Sequence, residues 1–336
     1  MMKLLITIPR GELRDSFIQA ETVELLKKHF EVTLNEWDRN YNEEELYDAS
    51  RDFDVLVTGW GTASLSRAGL MKKGTRLKLL VHTGGTVGDL IDRETYENGI
   101  KVISGNKLYA ESTAEGALAY IMSALRYIPD DVNKMKDGSY WSSPYHTSGL
   151  FDRTVGIIGV GAVSKNLMTF MKPFRVKLKV YDTYAVDPDF LASVGAEQTS
   201  LEDVLSTCSV VSLHMALNGK TRGMIGREQL SLLRDGTLFV NTSRGPIVDE
   251  RALVDELATG RIRAILDVFT KEPLAADSPL RSMDNVYLIP HKAGPTYDMR
   301  SLIGYKLAED AVRYLRGEEL TYEIKEEAAF RMTKHD

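Results

Sequence analysis

Residues 154–170 read TVGIIGVGAVSKNLMTF, and this stretch decides the fold. A short apolar run, 155–158, reads as a strand. Gly159, Val160 and Gly161 then form a turn, and Ala162, Val163 and Ser164 open a segment with helical spacing. Glycines at the turn allow tight reversal and close approach of the backbone to a pyrophosphate, whose charge the helix N-terminus favours. Ser164 stands where a third glycine is common, and its small side chain suits helix–strand packing. Asp182 ends the next apolar run, KLKVYD, 21 residues beyond Gly161. A carboxylate there accepts hydrogen bonds from ribose hydroxyls and repels a 2′-phosphate, so the pattern points to NAD rather than NADP. The plainer alternative for Asp182 is a solvated turn residue.

Working outward, six strand candidates follow one another at 155–158, 178–181, 210–213, 238–240, 264–266 and 286–289, most of them separated by helical patterns. Such a βαβ series predicts a doubly wound parallel sheet. Upstream, a second series of apolar runs occupies 3–8, 32–35, 53–58, 77–81 and 102–103, with a helix expected over 16–29. A longer helix is expected over 111–127, capped by Ser112 or Thr113 and stopped by Pro129. The stretch 137–149, rich in Ser, Gly and aromatics, reads as a loop or arm. A last helix is expected over 299–316.

Three charged residues sit just past strands of the second series: Arg244 in FVNTSRG, Glu272 in AILDVFTKEP and His291 in YLIPH. Ligands of open parallel sheets bind beyond the carboxyl ends of the strands. A guanidinium can bind a carboxylate through paired hydrogen bonds. A glutamate beside a histidine favours the imidazolium, a proton donor usable near neutral pH. Singly, each residue has an ordinary reading: a surface ion pair, a solvated loop glutamate, a structural histidine. Their common placement favours a catalytic set.

Composition narrows the field. The 336 residues suit two domains better than one. A net charge of −6, without a large Lys/Arg cluster, argues against a nucleic-acid partner. The single cysteine excludes an intramolecular disulfide. No apolar run is long enough for a membrane span, and the N-terminus reads as a strand rather than a signal peptide, so a cytoplasmic protein is expected. No metal-ligand cluster is expected.

The segments TVGIIGVGAVSKNL, VVSLHMALNGKTRGMI, GTLFVNTSRGPIVDERALVDEL, AILDVFTKEPL and LIPHKAGPT resemble the D-isomer-specific 2-hydroxyacid dehydrogenase family, and the likeness covers almost the whole chain. It implies two Rossmann-like domains. One is a doubly wound NAD-binding domain over 109–290. The other is a flavodoxin-like substrate domain built from both chain ends, 1–108 and 291–336. It also implies a homodimer. The catalytic roles of the family fall on Arg244, Glu272 and His291. Gly84, Gly85 and Thr86, together with Arg244, match the residues that hold the substrate carboxylate. Cofactor contacts are expected at Gly159, Gly161, Ala162, Val163, Asp182, Met215, Thr242, Ser243 and Asp267. Trp60 and Thr86 are expected beside the substrate. The implied reaction is hydride transfer between NAD(H) and a small 2-oxo or 2-hydroxy acid, with phosphoglycerate oxidation as one variant. Two other readings stay open: a non-catalytic NAD-dependent binding protein resembling corepressors of this fold, and a formate dehydrogenase, which Glu272 disfavours because that relative carries glutamine there. The chain departs from the family at Ala216, Asn218, Gly116 and Gly88.

Overall fold

A computed structural model of the chain describes residues 1–138 and 147–332. It separates into two compact units, Met1–Tyr109 with Pro295–Asp336, and Ala110–Gly294.

The first unit is built on β1 (Met2–Ile6), β2 (Phe30–Leu34), β3 (Val55–Thr58), β4 (Leu79–His82) and β5 (Lys101–Ser104), paired in the order β2-β1-β3-β4-β5. All four pairings are parallel, and the order is flavodoxin-like. Every residue of β3 and β4 is buried, as expected of strands covered on both faces. Phe17, Leu26, Ile303, Leu307 and Ala311 cover one face, and Leu46, Leu65, Leu70 and Met71 the other. The helix Tyr297–Leu315, from the far end of the chain, belongs to this unit.

That helix explains one departure from expectation. Instead of a single helix over 16–29 there are two, Glu12–Phe17 and Ala20–Lys27. A Cβ on Gly304 would lie 1.7 Å from the Phe17 carbonyl oxygen, so the Phe17 backbone lies directly on the C-terminal helix. The chain turns at Ile18 and Gln19, which lets Phe17 and Ile18 both bury their side chains. From within the helix, Asp310, 1% exposed, accepts from the amides of Thr321 and Tyr322, which lie past its end. The Tyr322 carbonyl and the Ile324 amide then bond to β5, covering that sheet edge.

The second unit holds β6 (Thr154–Ile158), β7 (Lys177–Tyr181), β8 (Ala196–Gln198), β9 (Val210–Leu213), β10 (Leu238–Asn241), β11 (Arg263–Leu266) and β12 (Val286–Leu288). Their order is β12-β11-β10-β9-β6-β7-β8, the dinucleotide-fold order with one strand added at the edge. The sequence reading expects six strands; seven are present among the described residues. The one it missed is β8, three residues of partly exposed Ala-Glu-Gln with no apolar run to mark it.

The long helix is Asn106–Leu125, not 111–127. The Ser104 hydroxyl accepts from the Asn106 amide, so Ser104 takes the capping part expected of Ser112 or Thr113. Pro129 does not stop this helix: it lies in the first turn of the next, Ile128–Asp137, where a missing N–H costs nothing. Most of the expected arm at 137–149, residues 139–146, lies outside the described residues. No helix among the described residues is long and apolar enough to cross a membrane.

Candidate active site

The glycine turn after β6 is shaped by contact with the residues that follow β9. Gly159 has φ +96°, and a Cβ there would lie 2.7–2.9 Å from Met215 and from the His214 carbonyl carbon. Only glycine suits that position. Gly161 differs: nothing lies within 4 Å of its Cβ direction, so there is open space at the start of the helix Ala162–Met171. Ser164, fully buried, accepts from the Gly161 amide at 3.0 Å and donates to the Gly161 carbonyl at 3.1 Å. The serine thus closes the turn that the third glycine of the common pattern leaves bare. Ala162 and Val163 supply the first amides of this helix, the positions that favour an anion.

Asp182 has a second part that the sequence did not signal. One carboxylate oxygen accepts from the Val160 amide at 2.6 Å and the other from Tyr184 at 2.9 Å. It therefore pins the glycine turn to the end of β7. Each oxygen keeps a further lone pair for a ligand hydroxyl. Thr242, at the end of β10, is 7% exposed, and its hydroxyl has no partner among the described residues. An open helix start, a carboxylate with acceptor capacity and an orphaned buried hydroxyl together fit a dinucleotide.

Arg244, Glu272 and His291 are brought to neighbouring strand ends by the order β12-β11-β10. Asn241, 2% exposed, organises the first of these ends. Its side chain accepts from the Ser243 amide and hydroxyl at 3.0 and 2.9 Å and donates to the Arg244 carbonyl at 3.2 Å. Sequence reasoning passed over Asn241; an asparagine directly after a strand, able to bond its own following backbone, is the signal that could have found it. Arg244 has an extended backbone, and its guanidinium donates to the Ser243 carbonyl at 2.7 Å. A Cβ on the next residue, Gly245, would fall 2.0 Å from the Phe269 carbonyl carbon. The two loops thus touch backbone to backbone.

The Phe269 amide donates to one Glu272 carboxylate oxygen at 3.0 Å, and the other oxygen lies 2.6 Å from His291 Nδ1. The glutamate is held at both ends, and the imidazole keeps Nε2 for other partners. His291 itself sits at φ +50°, in the left-handed region, and its amide donates to the carbonyls of Asp267 and Ile289. Asp267, 1% exposed, accepts from the amides of Lys292 at 2.6 Å and Ala293 at 3.0 Å. Burial pushes its carboxyl above the usual range, and those two amides pull it back. The structure therefore gives Asp267 a positioning part in the His291 loop.

One departure from the family pattern has a geometric reason. A Cβ on Gly116 would lie 2.2 Å from the Ala293 carbonyl oxygen. A Cβ on Gly294 would lie 2.8 Å from Thr113. Residues 291–294 therefore pack on the helix Asn106–Leu125 and belong to the second unit, so the break falls at Gly294/Pro295 rather than at 290/291. At the other departures, Asn218 accepts from the amides of Lys220 and Thr221, while Thr221 donates to the Ala216 carbonyl at 2.7 Å, forming a closed turn. Met215 is 7% exposed and packs on Gly159. Ser243 is 9% exposed.

In the first unit, Gly84, Gly85 and Thr86 follow β4. A Cβ on Gly84 would meet His82 Nε2 at 2.3 Å, and one on Gly85 would meet the Tyr109 ring at 3.2 Å. Asn106 donates to the Gly85 carbonyl at 2.7 Å, and the Thr86 hydroxyl accepts from the Gly88 amide at 3.3 Å. No cluster of His, Cys, Asp or Glu among the described residues has the arrangement of a metal site.

Residues 118–293 match the D-isomer specific 2-hydroxyacid dehydrogenase, NAD binding domain. A glyoxylate reductase of Korarchaeum cryptofilum is 30% identical over 87% of this chain and 89% of its own length. A D-3-phosphoglycerate dehydrogenase of Methanocaldococcus jannaschii is 31% identical over 95% of this chain, which spans 58% of that protein. The fold is also that of a Paecilomyes thermophila glyoxylate reductase, with TM-score 0.79 at 23% identity over 97% and 99% of the two chains. With a dinucleotide cradle after β6 and a matched NAD-binding domain, the chain belongs to the D-isomer specific 2-hydroxyacid dehydrogenase family and takes NAD as its cofactor.

Proposed function

We propose that this protein is an NAD(H)-dependent oxidoreductase that interconverts a small 2-oxo acid and its 2-hydroxy acid. The observation that carries the reading is the Glu272–His291 pair, 2.6 Å apart, on strand ends beside the one that carries Arg244. Hydride exchange at the substrate C2 is the chemistry the bound cofactor supplies. His291, oriented through Nδ1 by Glu272, gives a proton from Nε2 to the substrate oxygen during reduction and takes it back during oxidation. Arg244 binds the substrate carboxylate and polarises the keto oxygen. Gly84 and Gly85 donate no hydrogen bond among the described residues through their amides, which supports their use, with Thr86, for the same carboxylate.

The second unit is the NAD-binding domain in this reading and the first the substrate domain. Asp182 takes the ribose hydroxyls and disfavours NADP. Gly159, Gly161, Ala162 and Val163 receive the pyrophosphate, and Met215, Thr242, Ser243 and Asp267 line the rest of the cofactor. The acid-base set needs a carboxylate at 272, which disfavours the formate reading. Exposed Met122, Ile128, Val132 and Met135 support a homodimer through the second unit, and the reading puts the protein in the cytoplasm. The test is NADH consumption with a panel of 2-oxo acids, wild type against His291→Asn. Turnover with none of them, or equal turnover by the variant, would overturn the reading.

A further inference from the structure

The first unit carries a cation, Arg300, that has no anionic partner among the described residues. Arg300 lies in the opening turn of the helix Tyr297–Leu315. Its guanidinium carbon is 5.1 Å from the Trp60 ring centroid and 5.9 Å from that of Phe17. Its Nε is buried and has no hydrogen-bond partner among the described residues. The Tyr109 hydroxyl is likewise buried and unpartnered among them. Burial pushes the Tyr109 phenol up, and the charge of Arg300 pulls the other way, so the two groups feel one another.

The aromatic frame explains how they are held. Trp60 meets Phe17 edge to face at 5.3 Å and Tyr109 at 6.2 Å. Cation–π attraction fixes the guanidinium against the Trp60 ring. The same Tyr109 ring packs against Gly85. Trp60 follows β3, Gly85 follows β4 and Tyr109 lies in the helix that follows β5, so all three stand at the carboxyl edge of this parallel sheet, where ligands of such sheets bind.

A buried N–H and a buried O–H without acceptors both cost free energy until a ligand supplies one. Arg300 is donor-only, and an anion is what a guanidinium takes. The amides of Gly84 and Gly85 already offer a place for one carboxylate, and Tyr109 joins that loop to Arg300. We propose that Arg300, with the Tyr109 hydroxyl, recognises a second oxyanion on the substrate. The preferred substrate is then a 2-oxo acid that also carries a terminal carboxylate or phosphate, not a simple monoanion. This rests on the dehydrogenase reading above.

The experiment compares kcat/KM with NADH for glyoxylate, oxaloacetate and phosphohydroxypyruvate, in wild type, Arg300→Met and Tyr109→Phe. Wild type should favour at least one dianion over glyoxylate, the better of the two identifying carboxylate or phosphate. Arg300→Met should shrink that dianion-to-glyoxylate ratio by about 10- to 100-fold, the worth of a charge-assisted hydrogen bond. Tyr109→Phe should shrink it less, since a neutral donor is lost. A ratio is insensitive to the fraction of folded enzyme. Preference for glyoxylate in wild type, or an unchanged ratio in Arg300→Met, overturns the proposal. A separate titration keeps it distinct from the dehydrogenase reading: D-malate added to the NADH complex, followed by Trp60 fluorescence with Trp60→Phe as control. Saturable quenching that Arg300→Met abolishes would uphold the second-anion site even if no 2-oxo acid were turned over; no quenching and no dianion preference would sink it.

Discussion

Gly245→Ala puts the site geometry to its sharpest test. The added methyl carbon would fall 2.0 Å from the Phe269 carbonyl carbon, 2.1 Å from its oxygen and 2.5 Å from the Thr270 amide nitrogen. Ordinary contact begins near 3.4 Å, so the two loops must part by about 1.4 Å. All three obstacles are backbone atoms, so no side-chain rotation relieves the clash. One of these loops carries Arg244; the other holds Glu272 through the Phe269 amide and so orients His291. Overpacking of this kind costs about 1–3 kcal/mol of stability. A displacement of about 1 Å in a catalytic constellation costs about 10²-fold in rate. We expect kcat/KM to fall by about 10² or more while the purified variant stays folded and keeps NADH affinity, because the Gly159–Gly161 turn and Asp182 are untouched. The assays are steady-state kinetics, NADH titration and denaturant unfolding on one preparation. A variant within about threefold of wild-type kcat/KM would refute the argument that this backbone contact positions the acid-base set.

His291→Asn should lower kcat by about 10²–10⁴-fold with NADH binding retained, and fluorescence titration beside single-turnover kinetics would show whether both hold. Asp182→Ala should weaken NADH by about one to two decades and narrow its advantage over NADPH; it also frees the Val160 amide, so the melting temperature should drop. Unchanged NADH affinity would mean that Asp182 serves the turn alone. Burial lowers His82 and His214 to about 4, so both fold as neutral rings and the unfolded chain binds protons that the native state refuses. Stability is therefore fully present above the unfolded value of about 6.5 and is lost as pH falls from there towards about 4. At about pH 5 each ring should cost roughly 2 kcal/mol, and equal denaturation midpoints at about pH 7.5 and 5 would exclude this.

Much of the architecture was legible because parallel strands covered on both faces are mostly apolar. β3, β4, β9 and β10 are buried at every position and each has three apolar residues in four, so each stands out between helical patterns. The glycine turn was legible for a different reason: a positive φ at Gly159 restricts residue type at one position, which a sequence records directly. Arg244, Glu272 and His291 could be placed just past strands because the apolar runs before them mark those strands. What the linear order does not carry is through-space approach. Nothing near Gly245 announces Phe269, and nothing near Gly116 announces Ala293, because those contacts are set by how the loops cross. Asn241 and Asp267 look like ordinary polar residues after strands until their side chains are seen holding the turns of Arg244 and His291. Polar β8 escaped notice because an edge strand needs no apolar run. The Arg300–Trp60–Tyr109 cluster joins three distant stretches of chain, and only the docking of the C-terminal helix on the N-terminal sheet makes them neighbours. Local chemistry was written in the sequence, whereas the partners of each group were decided by tertiary packing, since hydrogen bonds and steric contacts depend on distances of a few ångströms that sequence separation does not encode.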